Sequence, residues 1–282
     1  MSNRFQHILK QWQTQKDDCE WVLATIIETK GSAYRKAGAR MMINSFGKGF
    51  GLLSGGCLES DLMRQARKCW ENDQNHIVTY DMQDESDIAW QLGIGCGGMV
   101  RVLLQPINAE NDYLALEKVL EQIALGQPVY YSQAIDTIKP MNRICSKSEY
   151  LSNEQKSNNL FIKIIKSIPK LTIFGGGTDA VPLVNMAKEL GWQVTLIDSR
   201  TNYARAAYFP TADNIIKQPY ESLATNNVIT SSDAIVIMNH NLELDAKALS
   251  VSANTPCQYI GLLGPSHRTE RVFKLIDLQL ED

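Results

Sequence analysis

Residues 171–200 read LTIFGGGTDAVPLVNMAKELGWQVTLIDSR. The apolar run 171–174 predicts a strand, the glycines at 175–177 a turn, and the amphipathic stretch after them a helix. A second apolar run, 193–197, ends in Asp198. Strand, glycine turn, helix, strand and acid in that order predict a dinucleotide-binding unit. Gly175 permits the tight turn, Gly177 lets a pyrophosphate approach the backbone, and Ala180 keeps the helix close to the sheet. Free N–H groups and the positive dipole end favour a phosphate at the helix start, beside Thr178 and Asp179. Asp198 falls where an acid accepts hydrogen bonds from ribose hydroxyls, with Arg200 just beyond it. The competing reading is a glycine turn that serves helix packing alone. The flanking strands and the spacing of the acid favour the nucleotide.

The chain around this unit has 282 residues, enough for two domains. An apolar fraction of 44% and a charged fraction of 21% describe an ordinary globular protein. A net charge of −3 and the lack of a polybasic run give no case for nucleic acid. The opening residues, MSNRFQHILKQWQTQKDDCEW, carry no continuous apolar core, and no run reaches transmembrane length. A cytoplasmic protein with no membrane association is expected. Cys19, Cys57, Cys69, Cys96, Cys145 and Cys257 form no CxxC pair, so reduced thiols are expected and a structural zinc site is not.

Periodicity predicts a helix over 4–20, strands at 21–28 and 39–44, a glycine hairpin at 46–51 and a helix over 58–72. Strands at 76–81 and 98–104 and a helix over 113–124 follow. Residues 132–159 mix Ser, Asn, Lys and Gln with isolated apolar residues, as a linker does. Further strands are expected at 233–238 and 258–263, with helices over 242–250 and 269–278. The expected fold class is α/β: an α+β domain at 1–131, a linker at 132–168, and a Rossmann-like domain with a parallel sheet at 169–282.

Three loops of the first half are candidates for chemistry. Residues 31–40, GSAYRKAGAR, combine small residues with Arg35 and Arg40, which can grip a phosphate or carboxylate, and include Ser32. Residues 53–59, LSGGCLE, place Gly55 and Gly56 before a helix whose first turn would hold Cys57, lowering its thiol pKa. Glu59 there is equally suited to capping the helix. Residues 92–98, LGIGCGG, surround Cys96 with glycines that core packing does not require. In the second half, His240 follows a strand as an acid/base or ligand-contact candidate. Arg268, with Ser266 and Arg271, opens a helix where a second anionic group could sit.

These blocks carry a family resemblance. GSAYRKAGARMMI, GLLSGGCLES, GIGCGG, IFGGGTDAVPLVNMAKELGWQVTLIDSR, FPTAD, IMNHNLELDAKAL and YIGLLGPSHRTER run in order over nearly the whole chain. The chain resembles the xanthine dehydrogenase accessory (XdhC/CoxI) family. Gly176 and Thr178 stand where that family commonly has Ala and His, and Gly95 where many members have a second cysteine. The resemblance implies a chaperone rather than a small-molecule catalyst. Such a protein binds and protects the molybdenum cofactor, as molybdopterin or its dinucleotide form, and inserts it into an apo-molybdenum hydroxylase. It also implies sulfuration of the bound cofactor by a cysteine desulfurase, and a homodimer. Cys96, and with it Cys57, becomes a candidate contact to molybdenum, with Arg35 and Arg40 on anionic groups and the cofactor between the domains.

Two other classes use the same residues. An NAD-dependent oxidoreductase would use the Rossmann signal with His240 as its acid/base group. A nucleotide-sensing scaffold would bind nucleotide without pterin.

Overall fold

The computed structural model describes residues 4–56, 58–81, 97–153 and 159–276. The chain divides into two compact units between Ser167 and Ile168.

In the first unit an antiparallel sheet has the order β3-β2-β1-β5-β4, formed by β1 (Trp21–Lys30), β2 (Arg40–Asn44), β3 (Gly49–Phe50), β4 (His76–Asp81) and β5 (Met99–Ile107). β1 alternates two apolar sets rather than apolar with polar. Val22, Ala24 and Ile26 pack with Leu62, Ala66 and Cys69 of helix α2 (Glu59–Asn72). Trp21 and Leu23 pack with Ile8, Leu9 and Trp12 of helix α1 (Phe5–Gln13), and with Leu116, Val119 and Ile123 of helix α3 (Leu116–Ala124). A strand covered on both faces reads as a continuous apolar run, which is why WVLATII is so plain in the sequence.

Helix α1 stops at Gln13, short of the expected 20, and α3 starts later than expected. Residues 112–115 explain the late start: they run through the left-handed region at φ +48° to +58°. Such backbone costs about 1–2 kcal/mol per non-glycine residue. It is held by the reciprocal cap of Asn108 and Asn111, by the Trp12–Tyr113 edge contact at 5.9 Å, and by Tyr131 Oη donating to the Leu114 carbonyl at 2.7 Å.

Residues 132–153 and 159–165 do not form the linker expected over 132–168. Strands β6 (Val129–Ala134), β7 (Asn142–Cys145) and β8 (Leu160–Ile165) make a second antiparallel sheet of order β7-β6-β8, with helix α4 (Lys147–Asn153) alongside in sequence, all within the first unit. Several of the polar residues that suggested a loop hydrogen-bond in the interior through their amide hydrogens, while Ser132 Oγ and Gln133 Oε1 have no partner among the described residues. Gln133 donates to Thr25 Oγ1 at 3.2 Å and Gln105 Oε1 at 2.8 Å, and Asn142 donates to Gln105 Oε1 and the Tyr131 hydroxyl, both at 2.8 Å. A buried amide with its partners present is compatible with a core strand.

The second unit is an all-parallel sheet of order β11-β10-β9-β12-β13: β9 (Lys170–Phe174), β10 (Gln193–Ile197), β11 (Asn214–Ile216), β12 (Ala234–Ile237) and β13 (Tyr259–Leu262). Helices α5 (Ala180–Glu189), α6 (Asn227–Thr230), α7 (Leu242–Ser252) and α8 (Ser266–Leu275) connect or flank the strands. One core gathers α5 residues Val184 and Ala187 on Ile173 and Leu196, and another gathers Ala248 and Leu249 of α7 with Val272 of α8 on Phe174 and Ile237. The strand order reverses between β9 and β12, and a sheet of this kind keeps its ligand crevice beyond the carboxyl ends at that point. This is the Rossmann-like α/β unit expected from residues 171–200, preceded by an α+β unit. No helix among the described residues is long and apolar enough to cross a membrane.

Removing the Tyr131 hydroxyl leaves the Leu114 carbonyl and an Asn142 amide hydrogen without their buried partner. Tyr131→Phe is expected to lower unfolding free energy by about 1–3 kcal/mol, read as a lower urea midpoint at unchanged slope.

Candidate functional site

Two groups of residues gather the candidates, one in each unit. In the first, Lys30 pairs with Met99 at the ends of β1 and β5, so the loops leaving these strands start side by side. Gly98 is jammed against Lys30 and Ser32: a Cβ there would lie 2.1 Å from the Ser32 carbonyl oxygen and 2.5 Å from that of Lys30. Real Cβ atoms do not approach backbone oxygen so closely, so the contact admits glycine alone. Gly31, at φ +68°, faces Gly98 from the other side. A Cβ on Gly55 would lie 3.8 Å from the Tyr34 ring. The described parts of the three glycine loops therefore meet at one end of the sheet. Cys57 and Cys96, with Gly93 and Gly95, lie outside the described residues.

Within this cluster the side chains differ from expectation. Glu59 accepts the N–H groups of Leu53 and Ser54 at 3.1 and 2.8 Å, and the Ser54 hydroxyl donates to its other oxygen. Its carboxylate fixes the loop before α2, and the helix's N-cap, Leu58, receives no side-chain cap. Arg40 is buried at 7% exposure, with Nη1 on the Gly38 carbonyl at 3.2 Å and its guanidinium 5.2 and 5.5 Å from the Phe5 and Tyr131 rings. Burial pushes its pKa down to about 10. Packed under α1, it does not present itself to a ligand as expected. Arg35 is half-buried and has no ion pair among the described residues, Ser32 and Gly56 are exposed, and these remain free for a ligand. Among the other described thiols, burial pushes Cys69 up to about 12 and raises Cys145 as well, which disfavours the thiolate form of both.

In the second unit Gly175 makes its turn at φ +112°, against the Met238 carbonyl. Asp198, expected on a ribose, is fully buried and already bonded. Its Oδ2 accepts the Gly176 N–H and Arg200 Nη2, both at 2.8 Å; its Oδ1 accepts the Arg200 N–H and Nε, both at 2.9 Å. Arg200, expected as a ligand contact, is thus held internally, and its Nη1 also donates to the Asn239 carbonyl at 3.2 Å. Asn239 donates from its backbone and side chain to Asp245 Oδ1, both at 3.0 Å, and accepts from Tyr220 Oη at 2.6 Å. Arg268, expected on an anion, pairs instead with buried Asp245 at 2.6 Å. One chain of contacts thus joins the glycine loop to the first turn of α8.

Beside that chain is a cavity of about 500 Å³ lined by Gly177, Thr178, Asp179, Tyr203, Arg205 and Tyr208, with His240 at its edge. His240 adopts φ +56°, unusual for a residue with a side chain, and its Nε2 is 2.6 Å from Asp179 Oδ2. Arg205 is exposed and has no ion pair among the described residues. Arg205 and Tyr220 lay in none of the motif blocks, and Asp245, inside IMNHNLELDAKAL, was not singled out; their partners in space reveal them.

Burial raises the Asp198 carboxyl, but the hydrogen bonds from Arg200 and from the Gly176 and Arg200 amides outweigh it and hold it below the usual carboxylate range. A folded pKa below the unfolded value stabilises the fold fully above about pH 4, and that contribution is lost as pH falls towards the folded value. Asp198→Asn is expected to flatten the acid limb of the stability curve below about pH 5, measured by urea unfolding across pH.

Comparison with known proteins agrees with this architecture. A family model described as the XdhC Rossmann domain matches residues 171–281, and one described as the XdhC and CoxI family matches residues 14–81. A probable xanthine dehydrogenase component of Bacillus subtilis (strain 168) is 32% identical over 276 residues, covering 91% of this chain and 83% of that protein. The molybdenum cofactor insertion chaperone PaoD of Escherichia coli (strain K12) is 24% identical over 262 residues, covering 91% of this chain and 71% of PaoD. The crystal structure of a xanthine dehydrogenase from Bacillus halodurans matches with a TM-score of 0.84 at 31% identity, over 97% of this chain and 85% of that one. With its α+β unit and its Rossmann unit both accounted for, the chain belongs to the XdhC and CoxI family.

Proposed function

We propose that this protein binds the molybdenum cofactor, protects it, and inserts it into an apo-molybdenum hydroxylase, xanthine dehydrogenase or a relative of it. The observation that carries this reading is the match to a molybdenum cofactor insertion chaperone across 91% of the chain. The geometry of the first unit supports it. Its glycine loops converge with no side chain at Gly98 and, among the described residues, leave Arg35 without an acidic partner, a setting suited to an anionic group brought close to backbone. In sequence, Cys57 follows Gly56 and Cys96 precedes Gly97, so these same loops carry two thiols, the soft ligands a molybdenum–dithiolene group accepts. When bound, the cofactor supplies the redox chemistry its client enzyme uses. The residues of this chain hold its anionic end and keep water from the metal. Sulfuration by a cysteine desulfurase, action as a homodimer and a cytoplasmic location complete the reading.

Molybdenum cofactor released anaerobically from a molybdenum enzyme is the test ligand, with NADH in a parallel titration. Retention of molybdenum and pterin through gel filtration without comparable NADH binding is the expected result. Tight NADH binding without pterin retention would replace this reading with an oxidoreductase. Arg35→Ala is expected to weaken cofactor retention about tenfold or more, or about 1.4 kcal/mol, at an unchanged unfolding midpoint. Full retention and delivery by Cys96→Ala would remove that thiol from the site.

A further inference from the structure

Dinucleotide-binding folds use an acid at the end of their second strand to read the ribose diol. Asp198 stands in that position, but both its oxygens are engaged inside the protein. Arg200 meets it edge-on, Nε to Oδ1 at 2.9 Å and Nη2 to Oδ2 at 2.8 Å. A guanidinium edge with two parallel donors offers a carboxylate what a vicinal diol offers, with a charge in addition. The arginine is itself fixed, by the Asn239 carbonyl and by the Tyr203 ring, whose centroid is 3.5 Å away. The following residues close the site further. Ala204 N–H donates to the Gly176 carbonyl at 3.0 Å, and a Cβ on Gly176 would fall within 2.4 to 2.5 Å of Ala204 atoms. Segment 200–204 thus lies on the glycine loop where a ribose would have to enter. The cavity left open beyond it, about 500 Å³, is lined by the Tyr203 and Tyr208 rings, by the Asp179–His240 pair, and by Arg205, which has no ion pair among the described residues.

We propose that Arg200 acts as an internal surrogate for the ribose. The cavity then excludes nucleoside diphosphates and NAD(H), so that of the two forms of the cofactor the chain holds the molybdopterin rather than the dinucleotide. The ligand half of this inference rests on the cofactor-binding reading above; the exclusion half does not. Arg200 is a positioning residue, so its removal should create an affinity rather than destroy one.

Calorimetric titration of the intact chain with ADP separates the outcomes. The wild type is expected to show no binding at about 1 mM ADP, whereas Arg200→Ala gains ADP affinity at least about tenfold. Adding Asp198→Asn to that variant should abolish the gain. Arg200→Gln, which keeps one donor and the side-chain bulk, serves if Arg200→Ala does not fold, with thermal unfolding run on each protein. Wild-type ADP binding that Asp198→Asn weakens about tenfold would overturn the proposal, as would a folded Arg200 variant with no gain. Pterin retention by the wild type is read separately: its failure beside the expected ADP results removes the delivery reading and leaves the exclusion standing.

Discussion

A carboxylate with no exposed surface must be paired where it lies, and at the end of β10 that requirement organises the second unit. Asp198 draws in the Gly176 amide from the turn after β9 and the Arg200 side chain from its own loop. Through Arg200 it reaches Asn239 at the end of β12, and through Asn239 it reaches Asp245 on α7 and Arg268 on α8. Four loops at the carboxyl edge of the sheet are thereby held by one polar chain. Removing one member of a buried pair strands the other, so such a chain behaves as a unit rather than as separate contacts.

The first unit meets a similar need with backbone instead of charge. Its loops converge because β1 and β5 end in register and because nothing larger than hydrogen fits at Gly98. Glu59 then holds the turn before α2 through two main-chain amides. Among the described residues of these loops Ser32, Gly55 and Gly56 are small and exposed, Tyr34 stands exposed beside Gly55, and Arg35 has no ion pair. Glu59 and Asp198, the acids expected at a ligand, are instead occupied with the fold itself.

Much of the fold was legible because its strands are apolar on both faces or sit in a parallel sheet. The run at 21–28 falls within β1, and that at 193–197 coincides with β10. Legibility failed where polar side chains are satisfied by distant partners. Gln133 in β6 is paired with Thr25 and Gln105, far away in sequence, so a local reading sees only a polar stretch. The left-handed turn at 112–115 is likewise invisible to a helical period. For the candidate sites, residue type was readable and availability was not. Asp198, Arg200, Arg268 and Glu59 have the chemistry of ligand contacts, and only their partners in space show that they are already engaged. Arg205 has no motif around it and is exposed by the geometry alone.

The bond between Asp198 and Arg200 also sets the terms on which the protein meets the small molecules around it. A side chain tethered two positions along the backbone competes for its carboxylate as an intramolecular ligand. The effective concentration of such a group is millimolar or higher for a short tether, and it does not dilute. Free nucleotides and dinucleotides, however abundant, bind by mass action against that fixed competitor. On the proposed reading, a carrier built this way is kept clear for a scarce passenger by its own covalent chain rather than by the tightness of the passenger's grip.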